Sequence, residues 1–183
     1  MLASVTDARA ADPAETAEET PAPGASAPVL RQHDQTMEIE TGAVVPFPPG
    51  EVWPVVLDFD GLARYMPNVD SSRVIARTRW GTVVRQVGTT RFVVRRTLRF
   101  ELAFHRVNEN EVAFEETRGD FERFRGIWSV RPAGGGSRVG YHAWITDDFG
   151  VPGFVVRHVV RRDAAKMMPA IEREVRRRHE AAK

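Results

Sequence analysis

At 183 residues and 20.5 kDa the chain has room for one ordinary domain. With 42% hydrophobic and 28% charged residues, and a mean hydropathy of -0.34, it reads as a soluble globular protein. No apolar run reaches the ~18 residues of a membrane span. Cysteine is absent, which excludes disulfides, thiolate metal sites, Fe–S clusters and a Cys nucleophile. The net charge of +1 hides a division along the chain. Residues 1–35 carry six acidic and two basic side chains, and residues 154–183 carry nine basic and four acidic ones.

Residues 1–36 are mainly Ala, Glu, Pro, Ser and Thr, without an aromatic side chain. Such a segment has too little apolar surface to offset its ordering entropy. It is expected to be a disordered acidic tail whose removal leaves stability unchanged. Ala8-Arg9-Ala10 has the small-residue pattern of a signal cleavage site, but no basic stretch or sufficient apolar run precedes it. As written the chain reads as cytoplasmic. A start codon upstream would make the tail the remnant of an export signal and the protein periplasmic.

From Met37 the pattern changes to period 2, and residues 37–47 read as a first strand. Pro49 and Glu51 suit the first turn of a helix, where a missing N–H costs nothing and a carboxylate meets the dipole. Pro54 should shorten or bend that helix. A second short helix is expected over Leu62 to Tyr65.

Six further strands are expected at about 72–79, 80–88, 90–106, 110–118, 122–132 and 137–147. In the longest, Phe92, Val94, Leu98, Phe100, Leu102 and Phe104 share one parity. Arg95, Thr97, Arg99, Glu101 and His105 take the other, which gives one dry and one wet face. Arg96 interrupts the dry face. Gly88-Thr89-Thr90, Asn108-Glu109-Asn110, Arg118-Gly119-Asp120 and Gly134-Gly135-Gly136-Ser137 read as hairpin joints, so the strands form an antiparallel meander.

Pro152-Gly153 opens a helix over about 154–180. Val156, Val160, Ala164, Met167, Ile171 and Val175 form its apolar stripe. Pro169 should kink it. One helix stripe does not fill the concave side of a seven-stranded curved sheet, so large side chains and a small-molecule cavity share the space.

Four strings sit in order on these elements: Val45-Pro46-Phe47-Pro48-Pro49-Gly50-Glu51-Val52-Trp53, Asp58-Phe59-Asp60-Gly61-Leu62-Ala63-Arg64-Tyr65-Met66-Pro67, Phe124-Arg125-Gly126-Ile127-Trp128-Ser129-Val130-Arg131-Pro132, and Val151-Pro152-Gly153-Phe154-Val155-Val156-Arg157. Together they resemble the START/polyketide-cyclase superfamily (SRPBCC, or helix-grip, fold). The likeness is strongest to bacterial coenzyme Q-binding and cyclase/dehydrase-type members. It covers residues 37–180. It implies an α+β fold: a seven-stranded curved antiparallel sheet wrapped around a long C-terminal helix, with two short helices after the first strand.

Nucleotide, metal and serine-hydrolase motifs are missing. There is no G-x-G-x-x-G, P-loop or H-E-x-x-H, and no cofactor is called for. What remains is a set of aromatic and Met side chains: Tyr65, Met66, Phe92, Phe100, Phe114, Trp128, Trp144, Met167 and Met168. In this fold several of them should line a cavity for a hydrophobic ligand. Arg96, Glu116 and His142 are polar residues on expected strands. They are candidate polar handles for a quinone-, lipid- or polyketide-like ligand, or an acid/base group for a cyclase, with His142, between Tyr141 and Trp144, the best candidate. The Arg-rich face of the last helix (Arg157, Arg161, Arg162, Arg173, Arg176, Arg177) could touch anionic lipid. The near-neutral total argues against nucleic acid. A monomer is expected. The resemblance leaves three functions open: a carrier or sensor of a hydrophobic molecule, a polyketide cyclase or aromatase, and a ribosome-associated interaction factor.

Overall fold

The computed structural model describes residues 25–91, 95–146, 150 and 152–183. Eight strands form one antiparallel sheet in the order β1-β2-β8-β7-β6-β5-β4-β3. They are β1 (Ala25–His33), β2 (Thr36–Val45), β3 (Val69–Thr78), β4 (Gly81–Arg91), β5 (Arg95–Asn108), β6 (Glu111–Gly119), β7 (Arg123–Ala133) and β8 (Gly136–Thr146). Helix α1 (Pro49–Val56) and a 3-10 turn at Leu62–Arg64 stand between β2 and β3, and α2 (Gly153–Ala165) and α3 (Met167–Ala181) close the chain. The meander returns on itself, since β8 pairs with β2 from Thr36↔Thr146 to Val45↔Ser137. This is the expected curved sheet gripping a bent C-terminal helix, with one strand more.

The extra strand lies within the segment expected to be a tail, residues 1–36. Ala25–His33 pairs with β2 at the sheet edge, with an irregularity between Ser26 and Val29. Pro28 falls in that irregularity, where a missing N–H breaks no ladder. Asp34 turns the chain back with a positive φ of 52°, a conformation Asp tolerates better than most residues. Residues 1–24, with the cleavage-like Ala8-Arg9-Ala10, lie outside the described residues.

Two local expectations are corrected. Gly88-Thr89-Thr90 is not a joint: β4 continues through all three to Arg91, and Thr90 pairs with Arg96. The long helix breaks at Lys166 rather than at Pro169. A proline ring clashes with the carbonyl four residues back and disfavours helix at the residue before it. The break therefore falls upstream, and Pro169 sits in the first turn of α3, where its missing N–H is harmless. Pro49 likewise occupies the first turn of α1, and Pro54 lies two residues from that helix's end. At the β7–β8 turn, Gly134 and Gly135 take φ of 35° and 88°, which favours glycine.

The core lies against the concave face. Val84, Leu102, Val130, Val139 and Ala143 point inward from the sheet, covered by Val52 and Val55 of α1 and Ile171 and Val175 of α3. An ion network fixes α3. Glu174, 6% exposed, accepts from Arg177 Nε and Nη2 at 2.7 Å each and from Arg178 Nε at 2.8 Å. Arg178 also binds Asp58 and donates to the Pro54 carbonyl at 3.2 Å, and His179 bonds Glu51 at 2.7 Å. The bond from Arg177, opposed by burial and helped by Arg178, holds the Glu174 carboxyl at about 2. Helix α2 rests instead on β1 and β2. Among the described residues no helix is long and apolar enough to cross a membrane.

Candidate functional site

Between the concave face and the bent helix lies a cavity of about 250 Å3. Its floor is aromatic because alternate residues of neighbouring strands point to the same side. Phe100 of β5, Phe114 of β6 and Phe124 of β7 meet with ring centroids 5.8 Å (100–124) and 5.1 Å (114–124) apart. Tyr141 of β8 stacks on Phe114 at 6.0 Å and meets Trp128 of β7 at 4.6 Å. Phe114 can lie over β7 only because residue 126 is glycine. A Cβ there would stand 2.6 Å from the Phe114 ring. Val159, Val160, Ala164, Met167 and Ile171 form the roof, and Leu62 and Met66 close one side.

Polar atoms in the wall are few. Gln86 is 7% exposed and donates to Ser72 Oγ at 3.4 Å. Thr90 Oγ1 donates to Asp163 Oδ2 at 3.0 Å, which joins β4 to α2 across the rim. Burial pushes the Tyr141 phenol well up, so it stays protonated. Among the described residues none hydrogen-bonds its hydroxyl. Also among the described residues, no group of three His, Asp or Glu side chains could hold a metal ion.

Of the expected ligand-binding residues, Met66, Phe100, Phe114, Trp128 and Met167 line this cavity together. Phe92 lies outside the described residues. Tyr65, Arg96, His142, Trp144 and Met168 do not line it. Tyr65 is a brace whose hydroxyl donates to the Val55 carbonyl at 2.7 Å. Burial, with Asp58 adding to it, pushes its phenol up. Met168 is 2% exposed and packs in the core. Arg96 is half-buried near the start of β5, and Glu116 is half-buried on β6 beside Gly119.

His142 and Trp144 fall on the convex face, because β8 sends Tyr141 and Ala143 inward and the alternating residues outward. There His142 Nε2 lies 2.7 Å from Glu38 Oε1, and its ring meets Trp144 at 4.0 Å. That hydrogen bond, against the effect of burial, holds the Glu38 carboxyl below its ordinary range. Much of the arginine of the last helix is engaged within the fold: Arg162 with Asp163, Arg176 with Glu172, and Arg177 with Glu174. Lining residues that sequence reasoning missed include Gln86, Thr90, Tyr141 and Asp163. For Tyr141 a signal existed, since Val139, Tyr141, Ala143 and Ile145 share a parity.

Among curated proteins none matches the sequence. Solved structures do. A Thermus thermophilus protein is 25% identical with a TM-score of 0.68, over 75% of this chain and 96% of that one. The Zhui aromatase/cyclase of a Streptomyces species is 15% identical with a TM-score of 0.69, over 80% and 98%. A STAR-related lipid transfer protein of Xanthomonas axonopodis is 12% identical with a TM-score of 0.60, over 82% and 99%. The last two likenesses concern the fold alone. Residues 45–172 match the family described as polyketide cyclase/dehydrase and lipid transport. With six of its eight strands, α2 and most of the cavity lining inside that match, the chain belongs to this family.

Proposed function

We propose that the protein binds a small hydrophobic molecule, quinone-, lipid- or polyketide-like, between the sheet and the bent helix, as a carrier or sensor. The apolar cavity of about 250 Å3, walled by Phe, Trp, Met and aliphatic side chains, carries this reading. An engineered apolar cavity of ~150 Å3 already binds benzene, and ligand pockets start at ~300 Å3. A fused ring pair or a medium acyl chain is the matching size. The Tyr141 hydroxyl is a donor for one carbonyl oxygen of such a guest.

A cyclase of this fold could work by shape alone, holding a reactive chain in a folded pose. The described wall favours carriage. Its titratable side chains are Tyr141 and Asp163, the first a proton donor at neutral pH and the second bound to Arg162 and Thr90. Neither is poised as a general base.

An environment-sensitive apolar dye should bind with a Kd on the order of micromolar and be displaced by quinones or medium-chain lipids. Tyr141→Phe should weaken quinone displacement and leave displacement by an alkane unchanged. Absence of dye binding would overturn the reading. Native mass spectrometry of protein from its source would give the mass of the guest.

A further inference from the structure

Beside the apolar cavity lies a second, open depression of about 490 Å3 whose character is opposite. Asn68, Thr89 and Asp163 belong to both, so the depression is the vestibule of the cavity. Its other side chains are Asp70, Arg91, Arg95, Arg162 and Lys166. They come from three places that the fold brings together: the start of β3, the facing ends of β4 and β5, and the end of α2 with the break after it. Arg91 and Arg95 are register partners across the β4–β5 pair. Lys166 is at the vestibule because the helix breaks there.

The charges do not cancel. Asp163 is satisfied by Arg162 at 2.8 Å and by Thr90 at 3.0 Å, and Asp70 accepts from Thr89 Oγ1 at 2.5 Å. Arg91, Arg95 and Lys166 are exposed, and among the described residues none of the three has an ion pair. On α3, by contrast, Glu172 and Glu174 pair with Arg176, Arg177 and Arg178. Asp70 is then the one carboxylate left against Arg91, Arg95 and Lys166, so the vestibule keeps a net positive charge that favours an anion. An anion drawn there would sit where an apolar guest emerges.

From this we infer that the ligand is an amphiphile with an acidic head: its apolar body fills the cavity, and a carboxylate or phosphate rests among Arg91, Arg95 and Lys166. The inference rests on the proposed cavity function and names the chemical class of its guest. Arg91 and Arg95 can take a carboxylate or phosphate bidentately, and Lys166 adds a point charge. The neutral aromatic floor fixes where the body lies, and the vestibule fixes which end faces out.

The test compares decanoate with decanol by calorimetry at neutral pH, using the full chain. The parent should bind decanoate about tenfold more tightly, a factor that shrinks as salt is raised. The triple variant Arg91→Gln, Arg95→Gln, Lys166→Gln should lose that preference and keep the parent's affinity for decanol. A control with the same charge change, Arg157→Gln, Arg161→Gln, Arg173→Gln, should keep the preference. Equal binding of the two guests by the parent overturns the inference and leaves the cavity reading standing. Survival of the preference in the vestibule variant, or its loss in the control, also overturns it. If neither guest nor the apolar dye binds, both readings fall. If only phosphatidylglycerol vesicles respond to the vestibule variant, the three cations belong to a membrane contact and the inference is overturned.

Discussion

Phe114 and Trp128 both touch the cavity but differ in what surrounds them. Phe114 is 3% exposed and meets the rings of Phe104, Phe124 and Tyr141. Phe114→Ala should cost about 3–5 kcal/mol, as full truncation of a core aromatic does. Trp128 is half-buried, with open cavity on one side, and therefore lacks partner atoms there. Trp128→Ala should cost less than Phe114→Ala while dye affinity falls further. Urea midpoints and dye titrations on the two variants check the ordering. A Trp128→Ala variant with the larger stability loss would make that residue a core element first. Residues of this kind were half legible in the sequence. The alternation around Phe100, Leu102 and Phe104 fixed one face of β5 because apolar and charged residues occupied opposite parities. On β8 the apolar parity of Val139, Tyr141, Ala143 and Ile145 marks the inward face, and His142 and Trp144 stand on the other parity, which the ring of Trp144 disguises. Gln86, Thr90 and Asp163 come from distant segments, and no spacing connects them before the sheet has curled.

The elements differ in how they are fastened. Within α3 Glu174 holds Arg177 and Arg178, and the Arg178 so positioned ties the helix to Asp58 beyond α1. A carboxyl held at about 2, below its ordinary 4.5, contributes stability that is present above about 4.5 and lost as pH falls towards 2. The melting temperature should therefore drop through that window. Glu174→Gln should be less stable at neutral pH and flatter in acid, as thermal melts across pH will show. Pro169 gives the opposite expectation. In the middle of a helix a proline costs about 3 kcal/mol relative to Ala, but in the first turn of α3 it costs little. Pro169→Ala should leave the unfolding free energy read from urea titration within about 1 kcal/mol of the parent. A large gain would mean that α2 and α3 had fused into one helix. The sequence pointed to the proline correctly but not to the site of the break, because the ring acts on the residues before it.

At the scale of the molecule, β1 shows what composition conceals. Val29 is 45% exposed, and the strand offers the core little beyond Leu30 and Pro28. It is held by backbone ladder bonds, which leave no hydrophobic alternation to read. Removing residues 1–34 should uncover the β2 edge and lower the melting temperature by more than about 4 °C, given ~2–4 °C per kcal/mol for a chain of this size. An unchanged melt would show that the edge strand adds nothing.

The break at Lys166 also divides the roof of the cavity into halves with separate supports. One half, α3, is bolted to α1 by charge. The other, α2, leans on β1 and β2, where Gln32 approaches Gly153. The amides of α2 should then exchange with deuterium sooner than those of α3, because the stability of each half is set by the neighbours it would leave. Stripping away β1 should quicken α2 further without touching α3. The residence time of a guest would shorten with it, so a strand that meets no ligand would govern how long one stays.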